Sequence, residues 1–215
     1  MKKFCFIFLL AALLFSCQKS ELEFSCDPVI NAFVSENQEE LSQITVDELT
    51  SYEPELQRAV FNSWDYRKKR NAWIDKLRFI LINGNLTKAE TGHIQNLINH
   101  IGEDYFLDEN IQHNIEARSQ FASRWISYAT EDLGWPEQYI AFMVYRLYTN
   151  QSQFETEFSA LKSLNTAVVT NSEGSCDCNV SADFCGTADC RSLGCSANSS
   201  NCGWIWSMPC DGVCY

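Results

Sequence analysis

The chain has 215 residues, of which 46% are apolar and 20% are charged, and this composition allows one ordinary hydrophobic core with a small additional module. Only 9 Gly and 4 Pro argue against a fibrous or low-complexity protein, and 14 Phe, 8 Tyr and 6 Trp argue against general disorder. The 16 basic and 28 acidic residues give a net charge of −12. Because a nucleic-acid-binding protein needs a cationic surface, this charge argues against that class.

The amino-terminal segment has the pattern of an export signal. Lys2 and Lys3 precede an apolar run over residues 4–15. This run is too short to cross a bilayer, which takes about 20 residues, whereas a short apolar run behind a basic start is typical of a secretory signal. We therefore predict that residues 1–16 are a signal peptide and that the chain is exported to an oxidising compartment, where thiols form disulfides.

The apolar run ends in Leu14-Phe15-Ser16-Cys17, which resembles the lipobox of bacterial lipoproteins. The resemblance implies that the signal is cut before Cys17 and that Cys17 then carries lipid. The alternative is an ordinary signal peptide with Cys17 unmodified. In the lipoprotein interpretation, residues 17–26 tether the protein to the outer membrane or cell surface, and the acyl chains provide the membrane anchor.

A helical domain is predicted over residues 27–164, because apolar residues recur there at helical spacing. Asp27 and Pro28 form a typical helix start, and Thr45 with Glu48 has the pattern of a capping box. The residues that we expect the first helix to bury are Val29, Ala32, Phe33 and Leu41.

The next predicted helix is a long one that starts at Pro54 and ends at Asn83-Gly84. The residues expected on its buried side are Leu56, Val60, Trp64, Leu77 and Leu81. Thr87 and Glu90 form another capping box, and a helix that ends before Gly102 should follow it.

The clearest apolar stripe covers residues 108–133, where only Arg118 interrupts it and Gly134 provides the stop. Pro136 begins a strongly apolar helix. A final helix should bury Phe154, Phe158, Leu161 and Leu164. The predicted fold class is therefore an all-α helical bundle followed by a small disulfide-rich C-terminal module.

No catalytic constellation is visible in the helical domain, so we predict a protein that is not an enzyme and that has no cofactor and no metal site. His93 and His100 are seven residues apart, but no carboxylate or cysteine is placed to complete a metal site, and both are interpreted as surface histidines. The basic run at residues 67–70 is interpreted as a solvated helix face rather than an anion-binding or processing site.

Residues 165–174 are poor in helix formers and end in Gly, so they form the predicted linker to a cysteine-rich module over residues 175–215. The module contains eight cysteines, which are Cys176, Cys178, Cys185, Cys190, Cys195, Cys202, Cys210 and Cys214. Zinc sites usually repeat a two-residue gap between cysteines, whereas the gaps here are 1, 6, 4, 4, 6, 7 and 3. Four disulfides of unknown connectivity are therefore favoured over zinc.

The module combines a Cys-x-Cys start and a six-residue gap that ends in Asp183-Phe184 before Cys185 with a finish of Cys202-Gly203-Trp204, Cys210-Asp211-Gly212 and Tyr215. This pattern resembles the bacteriocin fulvocin C-related family, whose defining peptide is a small antibacterial protein with eight cysteines. The resemblance covers about the last fifth of the chain. It implies that the exported, lipid-anchored protein presents the module or releases it as an antibacterial peptide.

The module is acidic, so contact with a target-cell membrane or receptor would depend on apolar groups. The candidate contact residues, expected to be at least partly exposed on a disulfide-held loop, are Trp204, Ile205, Trp206 and Met208. The alternative is that Trp204 and Trp206 cover the disulfides as a small core. An alternative hypothesis is a non-toxic surface binding or adhesion lipoprotein whose disulfide-stabilised tail stays attached. Cys26 has no evident partner, and the sequence leaves it as a free thiol or as the link of a disulfide dimer.

Overall fold

The structure is a computed structural model that describes residues 23–147, 158, 161, 177–180, 190–192 and 201–214. The predicted signal peptide, the lipid-bearing Cys17 and the predicted linker at 165–174 lie outside the described residues. Among the described helices, none is long and apolar enough to cross a membrane.

The described part of the chain is mostly helical, with a small sheet near the carboxyl end. Its helices are α1 Pro28–Glu36, α2 Gln38–Leu41, α3 Val46–Leu49, α4 Pro54–Asn62, α5 Tyr66–Asn83, α6 Lys88–His100, α7 Asp108–Glu131 and α8 Glu137–Val144. Its strands are β1 Asp177–Cys178, β2 Cys190–Arg191 and β3 Gly212–Cys214. The three strands form an antiparallel sheet in the order β1-β3-β2.

The helix starts that depend on local capping are confirmed. The Asp27 carboxylate accepts hydrogen bonds from the backbone N–H groups of Val29 at 2.7 Å and Ile30 at 3.3 Å. Thr45 with Glu48 and Thr87 with Glu90 each form a complete capping box. These side chains satisfy N–H groups that the helix itself leaves without partners, which explains why a few residues fix each start.

The predicted buried face of α1 is wrong. Val29 is 77% exposed and Phe33 is also exposed, whereas Asn31 and Val34 are buried. The Asn31 side-chain oxygen accepts hydrogen bonds from the backbone N–H groups of residues 23 and 24, both at 2.9 Å. These bonds attach the segment that precedes α1 to the helix. The face of α1 that carries Asn31 and Val34 therefore lies toward the core.

The predicted long helix from Pro54 is two helices. It breaks between Asn62 and Tyr66, and the carboxylate of Asp65 caps α5 by accepting hydrogen bonds from Arg67 N–H at 2.8 Å and Lys68 N–H at 3.0 Å. Asp65, a residue type that commonly caps helices, interrupts the apolar pattern at this point and could have indicated the break.

The prediction for α7 agrees with the structure, and Gly134 ends this segment in the left-handed region with φ of 65°. Phe158 and Leu161, from the predicted last helix, are buried. The core that α1 to α8 enclose is one cluster, and it also includes side chains from residues 204–208.

Candidate functional site

The cysteine-rich region contributes a closed loop over residues 201–210, which we call the C-terminal loop. A disulfide joins Cys202 to Cys210, with 5.1 Å between their Cα atoms. Cys202 and Met208 exchange two backbone hydrogen bonds, of 3.0 and 2.9 Å. Between them, residues Trp204–Trp206 form a short 3-10 turn rather than a strand.

The four candidate contact residues are buried, so the expectation that they form an exposed contact surface is wrong. Trp204 and Ile205 are fully inaccessible, and Trp206 and Met208 are at most 3% exposed. All four belong to the same core cluster as the helices. Their apolar surface is therefore used for folding.

Each tryptophan of the C-terminal loop packs against different helices. The Trp204 ring lies 5.2 Å from the Trp125 ring of α7. The Trp206 ring lies 5.2 Å from Phe61 of α4 and 5.8 Å from Trp73 of α5, both in edge-to-face geometry. Aromatic pairs in this geometry add to the free energy of simple burial, so the turn joins three helices through its two indoles.

Polar contacts fix the C-terminal loop in the same position. The Trp206 indole N–H donates a hydrogen bond of 2.9 Å to the carbonyl of Tyr145, which follows α8. The Asn201 side-chain amide donates one of 2.6 Å to the carbonyl of Arg58 in α4. The buried guanidinium of Arg118, the only interruption in the α7 stripe, donates to the carbonyls of Tyr105 and Ser207. These bonds satisfy buried polar groups that would otherwise be costly.

The backbone of the C-terminal loop is unusual in a way that explains its sequence. Gly203 has φ of 64° and ψ of −148°, a region that is nearly restricted to glycine. Ile205 and Trp206 have φ of 41° and 52°. Left-handed backbone is costly for such residues, so the burial of their side chains and the surrounding contacts must hold the turn in place.

Disulfide pairing is confirmed for four of the eight predicted cysteines, as Cys178–Cys190 and Cys202–Cys210. The side chains of the other four lie outside the described part of the structure. Cys26 is disulfide-bonded in the structure, which corrects the prediction of a free thiol. The predicted dimer through Cys26 would require this bond to open first.

The basic run at residues 67–70 is not simply a solvated face. The Lys68 ammonium donates two hydrogen bonds of 2.6 Å to the carbonyls of Ser42 and Ile44, and burial lowers its pKa. Lys69 is buried, and Arg70 donates to the carbonyl of Gly102 at 3.0 Å. These cations attach neighbouring loops to α5, so the interpretation from charge alone was wrong for part of the run.

His93 is also buried, which corrects the expectation of a surface histidine. Its ring stacks on Trp125 with a centroid separation of 4.1 Å and lies 5.0 Å from Tyr128. Burial lowers the pKa of His93 to about 4. His100 is half-buried and stacks on Phe121, and its pKa is lowered first by burial and then by the charges of Arg118 and Arg124. Both rings are therefore neutral at pH 7.

A surface cleft of about 600 Å³ lies between α6 and α7. Its lining consists of Lys88, Ala89, Gly92, His93, Asn96, Phe121, Arg124, Trp125 and Tyr128. The residues from α6 recur at spacings of three and four, as do those from α7, because each set lies on one helix face. No motif in the sequence had marked this cleft, although His93 in its lining had been considered as a metal ligand and set aside.

The described part of the chain contains no group of three His, Cys, Asp or Glu side chains that could hold a metal ion. Comparison with known proteins gives no match to a family model, to a curated protein or to a solved structure.

Proposed function

We propose that the chain is an exported, lipid-anchored protein that binds a ligand at the cell surface, and that its cysteine-rich tail stays attached as part of a helical bundle. The observation that supports this proposal is the burial of the C-terminal loop in the core of the helices. A tail that completes the core of the domain is suited to permanent attachment. The export and lipid anchor follow from the signal pattern and the lipobox that ends in Cys17.

The energetics of release support the same choice. Burial of each large apolar side chain contributes roughly 1.5–3 kcal/mol, so removing Trp204, Ile205, Trp206 and Met208 from the core would cost on the order of 10 kcal/mol. That cost is comparable to the whole stability of a typical domain, about 5–15 kcal/mol. Cleavage at the predicted linker, residues 165–174, would not by itself free the tail.

Fractionation of the native host cells tests this proposal. Intact and reduced mass spectrometry of the protein should find one acylated species of residues 17–215 in the membrane fraction and no fragment of residues 175–215 in the medium. The Cys17→Ala variant should lose the acyl mass and leave the membrane fraction. Cys5→Ala, which changes a cysteine within the predicted signal peptide, is the matched control and should behave as the wild type. Release of the tail from most of the protein would contradict the proposal.

A second candidate function is an antibacterial precursor, and the spacing of cysteines and aromatic residues that resembles the fulvocin C-related family favours it. In that case the helical domain would hold the apolar residues of the C-terminal loop in a latent form. The chemically folded peptide of residues 175–215 should then inhibit growth of related bacteria while the intact protein does not. Absence of inhibition across a broad panel would remove this candidate.

A further inference from the structure

We propose that the α6–α7 cleft binds a small organic anion that carries a planar ring system. The inference rests on the proposed function, since it names the class of ligand that the anchored protein would bind. Ligand pockets in proteins are commonly about 300–1,000 Å³, and the cleft, at about 600 Å³, lies within that range.

Gly92 keeps the cleft open. It lies in the interior of α6, where glycine is less favourable than alanine by about 0.5–1 kcal/mol. Close packing against another helix would explain a glycine here, but a Cβ atom at this position would have no heavy atom within 4 Å. The space that the missing side chain leaves therefore belongs to the cleft.

His93 provides a buried polar atom for a ligand. The residue is 7% exposed, and its Nε2 atom has no hydrogen-bond partner among the described residues. A buried polar atom without a partner carries a desolvation penalty. Nε2 is buried in this structure, so a ligand in the cleft would remove this penalty by turning the His93 ring and forming a hydrogen bond with Nε2.

The charges and rings around the cleft define the ligand class. Lys88 and Arg124 are exposed members of its lining, and none of the lining residues is acidic. On a chain with net charge −12, this is a local site of positive charge that attracts an anion. Tyr128, which is 43% exposed, offers a ring surface on which a planar group can stack.

Two fluorescent dyes test the inference on the mature chain, residues 17–215, with its disulfides formed and with Cys17→Ala, so that neither lipid nor the apolar run at residues 4–15 binds dye. The first is 8-anilinonaphthalene-1-sulfonate, and the second is N-phenyl-1-naphthylamine, its uncharged counterpart. We expect saturable binding of the sulfonate with one site per chain and weaker binding of the neutral dye. Equal affinity for both dyes, or binding that does not saturate, would overturn the inference.

Variants locate the site. Lys88→Gln with Arg124→Gln should lower sulfonate affinity about tenfold, equivalent to about 1.4 kcal/mol, and leave the neutral dye unchanged within about twofold. Arg67→Gln with Arg78→Gln is the control of equal charge change on exposed positions of α5. Gly92→Leu should abolish binding of both dyes while thermal stability stays the same or rises, because leucine favours a helix.

Sulfonate binding that survives Gly92→Leu in a folded protein would place the dye elsewhere and reject the cleft. Failure of the proposed surface function is recognised separately, because retention of the tail is measured on cells without any dye.

Discussion

At the scale of single residues, His93 combines an aromatic environment with a lowered pKa of about 4. An unfolded chain exposes this ring to water, where its pKa is about 6.5. Between these two values the unfolded state binds more protons than the folded state. The stability that His93 contributes is therefore complete above pH 6.5 and is lost as the pH falls toward 4.

We expect the free energy of unfolding to be about 1 kcal/mol lower at pH 5 than at pH 7 because of His93, after solvent screening is allowed for. Urea unfolding at both pH values measures this difference. His93→Gln should reduce the pH dependence, and His100, whose pKa is shifted in the same direction, should account for part of the remainder. The exposed Gln95→Asn, which changes no titratable group on the same helix, is the control and should leave the dependence unchanged. An unaltered pH dependence in His93→Gln would contradict the assignment.

At the scale of elements, Lys76 of α5 connects two helices through one buried cation. The side chain is 1% exposed, and its ammonium donates hydrogen bonds to the carbonyl of Phe142 in the last turn of α8 and to that of Arg146, two residues after the helix. The ring centres of Trp73 and Phe142 lie 5.1 and 5.0 Å away. The last carbonyls of a helix lack partners within the helix and carry its negative dipole end, so a cation there is favourable.

Lys76→Met should lower the free energy of unfolding by about 2–4 kcal/mol, because the carbonyls of Phe142 and Arg146 lose a charged donor in a buried place. For a chain of this size that corresponds to a fall in Tm of roughly 5–15 °C, measured by circular dichroism. Arg78→Met, an exposed change on the same helix, should shift Tm by little. A Lys76→Met variant as stable as Arg78→Met would refute the role given to this cation.

Helix starts could be predicted from sequence, but helix faces could only be predicted in part. Asp27, Thr45 and Thr87 fix their helices through contacts within three residues. The face that α1 buries depends on where Asn31 finds its partners, and the break before α5 depends on Asp65, which apolar periodicity alone does not register. Burial of a polar or charged side chain can be predicted only when its hydrogen-bond partner is known. Apolar periodicity does not identify that partner.

At the scale of the whole molecule, the sequence predicted the disulfide chemistry of the tail but not its location. Cysteine density and spacing predicted disulfides without their connectivity, and the structure pairs Cys178 with Cys190 and Cys202 with Cys210. The position of the C-terminal loop depends on contacts such as that of Asn201 with Arg58, which are 143 residues apart in the sequence. Local patterns cannot report such contacts, so the tail was expected to be an autonomous module.

A chain that ends at residue 200 should lack a cooperative thermal transition and should bind dyes that recognise exposed apolar surface, because its core has lost the residues around Trp204 and Trp206. Differential scanning calorimetry measures whether the thermal transition is cooperative. Cys178→Ala with Cys190→Ala is the matched control, since it removes a disulfide of the sheet and leaves the C-terminal loop and its own disulfide in place. A truncated chain that unfolds as cooperatively as this control would show that the helices form a complete domain without the loop.

The place of the C-terminal loop in the chain has a consequence for biogenesis. Residues 201–210 leave the ribosome after all the described helices have been made. Until those residues are made and Cys202 and Cys210 are oxidised, the helical core lacks the two indole side chains of Trp204 and Trp206. The core is therefore complete only after residues 201–210 have been made, and a chain interrupted before residue 201 would expose apolar core residues to proteases.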